Sequence, residues 1–136
     1  MDIQLKPRIV AAGLEPTLAS HRDAAGSGNL SIEAVTRQAL EVAASSLCDK
    51  AFIRFFDTQA RASAAALHRL HDAGAPIGRL AGAPISVKDL YDVAGFPTTA
   101  ASATLHDAAP APHDSPAAAR ASAAGGVLIG TPNTIQ

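Results

Sequence analysis

Gly82-Ala83-Pro84-Ile85-Ser86-Val87-Lys88-Asp89-Leu90-Tyr91-Asp92-Val93-Ala94-Gly95-Phe96-Pro97-Thr98-Thr99 is the most densely patterned stretch of this 136-residue chain. Ile85-Ser86-Val87 is a short run of strand-forming residues, with Gly82 and Pro84 before it and a glycine- and proline-containing loop after it. Such punctuation predicts a buried strand that ends at Lys88. Further along, Ser115-Pro116 combines a helix N-cap with a first-turn proline, and alanine-rich sequence runs from there to Ala124. Gly125-Gly126 then stops the helix and Val127-Leu128-Ile129 reads as a second strand. Strand, helix, strand is the signature of an α/β unit with a crossover connection. Strands of this kind need neighbours on their edges and cover on both faces.

Working back toward the N-terminus, Ser31 caps a helix expected to run to about Leu47. Its apolar stripe is Ile32, Val35, Ala39, Leu40, Ala43 and Leu47. The 51–56 segment, rich in phenylalanine, is expected to be a short strand or buried extended piece. Asp57 is expected to cap a second helix over about 58–73, with Ala60, Ala64, Leu67 and Leu70 inward and Gly74 as its stop. Residues 1–30 lack periodicity. They read as an arm with a short helix in its first half and a polar linker at 24–29, leaving 31–136 as the folded portion.

Bulk composition excludes several functions. The formal net charge is −1, and basic residues are scattered among acidic ones, which argues against a nucleic-acid surface. No run of about 20 uncharged apolar residues marks a membrane span, and no signal peptide is evident, so a cytoplasmic setting is expected. Hydrophobic residues make up 48% of the chain but aromatics only 4%, because much of the apolar content is alanine. Alanine buries little area, so the core should be weak for a chain of this size and its apolar strand edges exposed. The isolated chain is expected to aggregate or to melt without a cooperative transition. Cys48 cannot form an internal disulfide, and a buried thiol on the apolar side of the first helix is expected.

The 82–99 block closely resembles the lysine region of the amidase-signature family, in which G-x-P-x-x-x-K-D precedes a G-x-P-T-T loop. A second matching block runs from Asp114 through Arg120 to Ala124-Gly125-Gly126-Val127-Leu128-Ile129-Gly130, and the resemblance spans roughly residues 30–136. It implies an α/β fold, here the N-terminal fragment of a larger domain with a mixed sheet covered by helices. It also implies hydrolysis of a carboxamide C–N bond by a Ser-cisSer-Lys triad, with no metal and no organic cofactor. The full-length parent would take a small-molecule amide substrate, and a homo-oligomer is compatible with the pattern.

Lys88 stands where the family has its catalytic lysine. A lysine amine ordinarily titrates near ~10.4, so a lysine acting as a base must sit where its charge is disfavoured. The resemblance therefore implies a desolvated Lys88 that takes a proton from a serine. The family's glycine- and serine-rich segment is missing from these residues. Ser86 shares a strand face with Lys88, but the resemblance places the nucleophile elsewhere. Thr131 replaces a lysine, Gln136 an acidic residue and Ala101 a common glycine. Such drift is expected of a truncated or frame-disrupted gene. Three readings follow: part of a working amidase, a non-catalytic remnant, or a piece of the A-type subunit of a tRNA-dependent amidotransferase. The second is preferred for the polypeptide as given, and Leu90 and the lack of basic patches weaken the third.

Other chemistry-bearing residues read more plainly. Asp89 and Asp92 are expected to make structural hydrogen bonds, and Thr98-Thr99 to fix turn geometry. His68 and His71 are three apart on a helix, but no third or fourth metal ligand is evident. His106 and His113 lie in a Pro- and Ala-rich loop and look ordinary. Gly125 to Thr131 lacks the lysine of a phosphate-binding loop and follows a helix rather than a strand.

Overall fold

The computed structural model describes residues 17–133. The short helix expected in the first half of the arm and the departure at Gln136 lie outside the described residues. Seven main elements follow in order: α1 (Leu18–Gly26), α2 (Ile32–Ala43), β1 (Phe52–Phe55), α3 (Asp57–Asp72), β2 (Pro84–Ser86), α4 (Pro116–Ala123) and β3 (Val127–Pro132). Short 3-10 turns lie at Ser46–Cys48 and Ala103–Leu105.

The sheet has the order β1-β3-β2 and is mixed, as the resemblance implies. β1 runs antiparallel to β3, with Phe55 opposite Gly130, and β2 runs parallel to it, with Pro84 opposite Val127. The crossover from β2 to β3 contains α4, as the strand–helix–strand pattern predicts. Ser115 caps α4 through the Ala118 N–H, and Pro116 fills its first turn. β3 is central, and Val127 is fully buried. Gly130 is required there, because a Cβ would stand 2.4 Å from the Arg54 carbonyl oxygen.

Two apolar clusters flank the sheet. The larger joins Ala25, Ile32, Leu40, Ala60, Ala64, Val127 and Ile129. The smaller joins Phe56, Val87, Val93 and Ala118, with Phe96 tilted against Phe56 at a ring separation of 4.2 Å. Four of the eight buried residues in the larger cluster are alanine, Ala81 included.

Several local expectations differ from the structure. The 24–29 stretch is not all linker, because α1 extends to Gly26 and buries Ala24 and Ala25. A Thr17–Ser20 capping box starts that helix, and the His21 ring nitrogen meets the Ala81 carbonyl at 3.1 Å. α2 stops at Ala43, four residues early. The Ser45 hydroxyl donates to the Val42 carbonyl at 2.6 Å and accepts from the Leu47 N–H, turning the chain into the 3-10 segment. Leu47 is consequently exposed, and Cys48 is half-buried in that segment rather than on the apolar stripe of α2. Asp57 does not cap α3. It is the first helical residue, and its carboxylate binds Arg61 one turn on, which raises the guanidinium pKa above its ordinary value. Leu70 faces outward, because the buried stripe of α3 ends near Leu67.

Candidate active site

Lys88 stands one residue beyond the last hydrogen bond of the parallel ladder, where the Val87 N–H donates to the Gly130 carbonyl at 3.0 Å. The Lys88 carbonyl accepts from the N–H groups of Leu90 at 2.7 Å and Tyr91 at 3.1 Å, so the chain reverses immediately after it. The backbone at Lys88 is thus fixed on both sides.

The Lys88 side chain is exposed, not buried as expected. Residues 17–133 place no cover over it, and no ion pair holds it among the described residues. Desolvation of this amine therefore requires contact with further protein or with substrate. An open hollow of about 270 Å³ lies beside it. Ser86 and Tyr91 border this hollow with Lys88, and alanines 117, 118 and 121 of α4 form its wall. Ser86 and Lys88 thus meet the same space, as their spacing predicts, although β2 already ends at Ser86. Leu90 is 57% exposed, and Tyr91, on the border of the hollow, is 49% exposed.

The loop after Lys88 is tied down by three carboxylates. Asp89 is buried, 1% exposed. Its oxygens accept from the Thr99 N–H at 3.1 Å, the Thr99 hydroxyl and the Ala101 N–H at 3.3 Å. Asp92 accepts from the Thr98 hydroxyl at 2.6 Å, and Asp114 accepts from the Ala94 N–H at 2.7 Å. The expected structural roles of Asp89, Asp92 and the Thr98-Thr99 pair match these bonds. Arg54 of β1 reaches across to the Pro97 carbonyl at 2.8 Å. That link was not legible in sequence, because 43 residues separate donor and acceptor.

Several serines of the described chain serve local structure. Ser31 and Ser115 cap helices, and Ser45 shapes the turn after α2. Ser102 bonds Thr104 at 2.8 Å. None lies in a Gly-Gly-Ser-Ser-type run. His68 contacts Asp72 at 3.3 Å on the exposed face of α3, and His71 meets the Gly26 carbonyl at 3.2 Å. Among the described residues no group of three or more His, Cys, Asp or Glu side chains is placed to hold a metal ion. Thr131 is buried opposite Arg54, and its hydroxyl lacks a hydrogen-bond partner among the described residues.

The described residues thus place an exposed lysine at the end of the parallel β2–β3 ladder, with a carboxylate-pinned loop behind it, in an α/β fold with a mixed sheet. Comparison with known proteins gives the family. The Amidase family model matches residues 33–136, and the chain belongs to that family. It is 35% identical over 118 residues to the A-type subunit of the glutamyl-tRNA(Gln) amidotransferase from Synechococcus sp. (strain CC9605). That match covers 86% of this chain and 24% of the relative. The fold superposes on the peptide amidase of Stenotrophomonas maltophilia with a TM-score of 0.77 and 26% identity, covering 88% of this chain and 25% of that one. A bacterial aryl acylamidase of the amidase-signature family gives a TM-score of 0.76 at 27% identity, covering 87% and 25%. The chain therefore spans about a quarter of the length of each of these three proteins.

Proposed function

We propose that this chain supplies the proton-accepting lysine of an amide C–N hydrolase, with Lys88 as that lysine. The observation that supports the reading is the fixed Lys88 backbone beside an open hollow, within the family's lysine motif. In the reaction so read, a serine oxygen attacks the amide carbonyl and its proton passes through a second serine to the Lys88 amine. The C–N bond then breaks, the proton leaves with the amine or ammonia, and water hydrolyses the acyl-serine ester. Both serines come from sequence other than these 136 residues. The functional unit is residues 31–136 as a partial amidase domain, with 1–30 as an arm whose α1 packs on it. The substrate is a small-molecule amide and the setting cytoplasmic. No helix among the described residues is long and apolar enough to cross a membrane.

The test uses the polypeptide or complex that joins this chain to a glycine- and serine-rich segment. Lys88→Met is expected to lower kcat by about 10²–10⁴-fold, the usual range for a lost general base. Lys88→Arg should fare no better, because a guanidinium does not deprotonate near neutrality. Unchanged turnover in either variant overturns the reading. The 136-residue chain alone is expected to release no ammonia from simple aliphatic or aromatic amides, and turnover by it would relocate the nucleophile to a serine named above.

A second reading is favoured by the 35% identity to the Synechococcus amidotransferase chain. Under it the same lysine serves one component of an assembly with partner chains. Co-purification of those further chains, with glutamine as the hydrolysed amide, distinguishes it from a free-standing amidase.

A further inference from the structure

The reaction proposed above has no use for the Asp89 carboxylate, yet it is the most completely buried acidic group in the described chain. Both oxygens are engaged: Oδ1 by the Thr99 N–H, and Oδ2 by the Thr99 hydroxyl and the Ala101 N–H. All three donors arrive from one short turn. Ala100 and Ala101 in that turn have φ of 48° and 53°, a left-handed conformation that a Cβ disfavours. Bonds from N–H groups to a carboxylate are roughly twice as strong as those between neutral groups. The anion therefore holds a turn that alanine would otherwise leave, and the turn fixes the anion.

Lys88 lies between this anchor and the sheet. On one side Val87 is bonded to Gly130; on the other, Asp89 is bonded to the turn. The Lys88 side chain itself has no partner among the described residues to orient it. Its starting point is set by its neighbours, and Asp89 is the neighbour with the most bonds. An acid or base role for Asp89 itself does not fit, because three donors already occupy a carboxylate closed off from solvent.

The geometry points to Asp89 as the positioning residue of Lys88: through the 99–101 turn its buried carboxylate sets where the amine stands over the hollow. This inference rests on the reading of Lys88 as the proton acceptor, and the experiment keeps the two apart. In the enzyme that joins this chain to the serine-bearing segment, Asp89→Asn should lower kcat per titrated active site by about 30-fold. KM should move by less than about threefold. A misplacement of about 1 Å in a catalytic group costs on the order of 10²-fold, which sets this scale. Thr99→Val keeps the carboxylate and both backbone donors, and should lower kcat about threefold with KM unchanged. A purely structural role would reduce the number of active sites and the melting temperature but leave kcat per site intact.

In the same joined enzyme, the Thr99 and Ala101 amide protons should resonate downfield and exchange slowly. Asp89→Asn should shift both, together with the Lys88 side-chain carbons. If Asp89→Asn fails to fold, Thr99→Val decides the matter. Wild-type kcat per site in the folded variant overturns the positioning role. Should Lys88→Met abolish turnover at the same time, the base reading survives and the positioning role alone falls. If Lys88→Met is also silent, both fall.

Discussion

The 78–82 segment and the 99–101 turn both demand left-handed backbone, and they meet the demand with different residues. The first uses Gly78 at φ 81° and Gly82 at φ 76°, packed against Gly125 at φ 89°. Backbone lies directly on backbone there: Leu80 donates to the Ala124 carbonyl at 2.8 Å, and Gly82 to the Gly125 carbonyl at 2.7 Å. A Cβ at Gly78 would stand 2.2 Å from the Ala124 oxygen, and one at Gly125 would stand 2.0 Å from the Ile77 oxygen. The second turn uses Ala100 at φ 48° and Ala101 at φ 53°, smaller positive angles, with a carboxylate rather than a second backbone against it. Steric exclusion thus dictates glycine where two main chains touch. Where an anion holds the turn, alanine is tolerated at a cost in strain. Ala81 at φ 45° shows that even the first segment carries one such strained alanine.

Three substitutions break or sharpen that contrast. Gly125→Ala adds a clash with the Ile77 oxygen to an unfavourable φ. It should destabilise by roughly 3–5 kcal/mol, read as a urea transition lowered or lost in the enzyme that joins this chain to the serine-bearing segment. Gly95→Ala separates the two effects, because Gly95 has φ 84° but nothing within 4 Å of a built Cβ. It should destabilise by only about 1–2 kcal/mol, the backbone strain alone. A loss as large as that of Gly125→Ala would show that strain, not contact, governs both sites. Ala101→Gly relieves strain of that size but adds about 0.5–1 kcal/mol of unfolded-state freedom. It should stabilise the fold by about 0.5–1 kcal/mol, seen as a raised urea midpoint of the same joined enzyme. Destabilisation would mean the turn is not strained.

The same contrast explains what was legible in sequence. β2, α4 and β3 could be read because their boundaries are written locally, in Pro84, Ser115-Pro116 and Gly125-Gly126. The lysine motif could be read because its order is dense. The left-handed alanines could not: alanine gives no local sign of positive φ, and the cause is an aspartate ten residues or more away. α1 escapes a periodicity reading because its buried residues are two alanines rather than a large apolar stripe. The exposure of Lys88 is hidden for the opposite reason. Its motif implies burial, and burial depends on cover that residues 17–133 do not contain. Periodicity puts Leu47 and Leu70 inside, but α2 ends early and the stripe of α3 runs out, so both meet solvent.

The strand order β1-β3-β2 also has a consequence in time. β3 follows every other described element in the chain, yet both ladders require it. During translation, β1 and β2 emerge from the ribosome with nothing to pair with. Between Phe55 and Val127 the nascent chain waits roughly 4–14 seconds at about 5–20 residues per second. Through that interval a chaperone has open access to the phenylalanines of β1, and the sheet closes only once the central strand has cleared the exit tunnel.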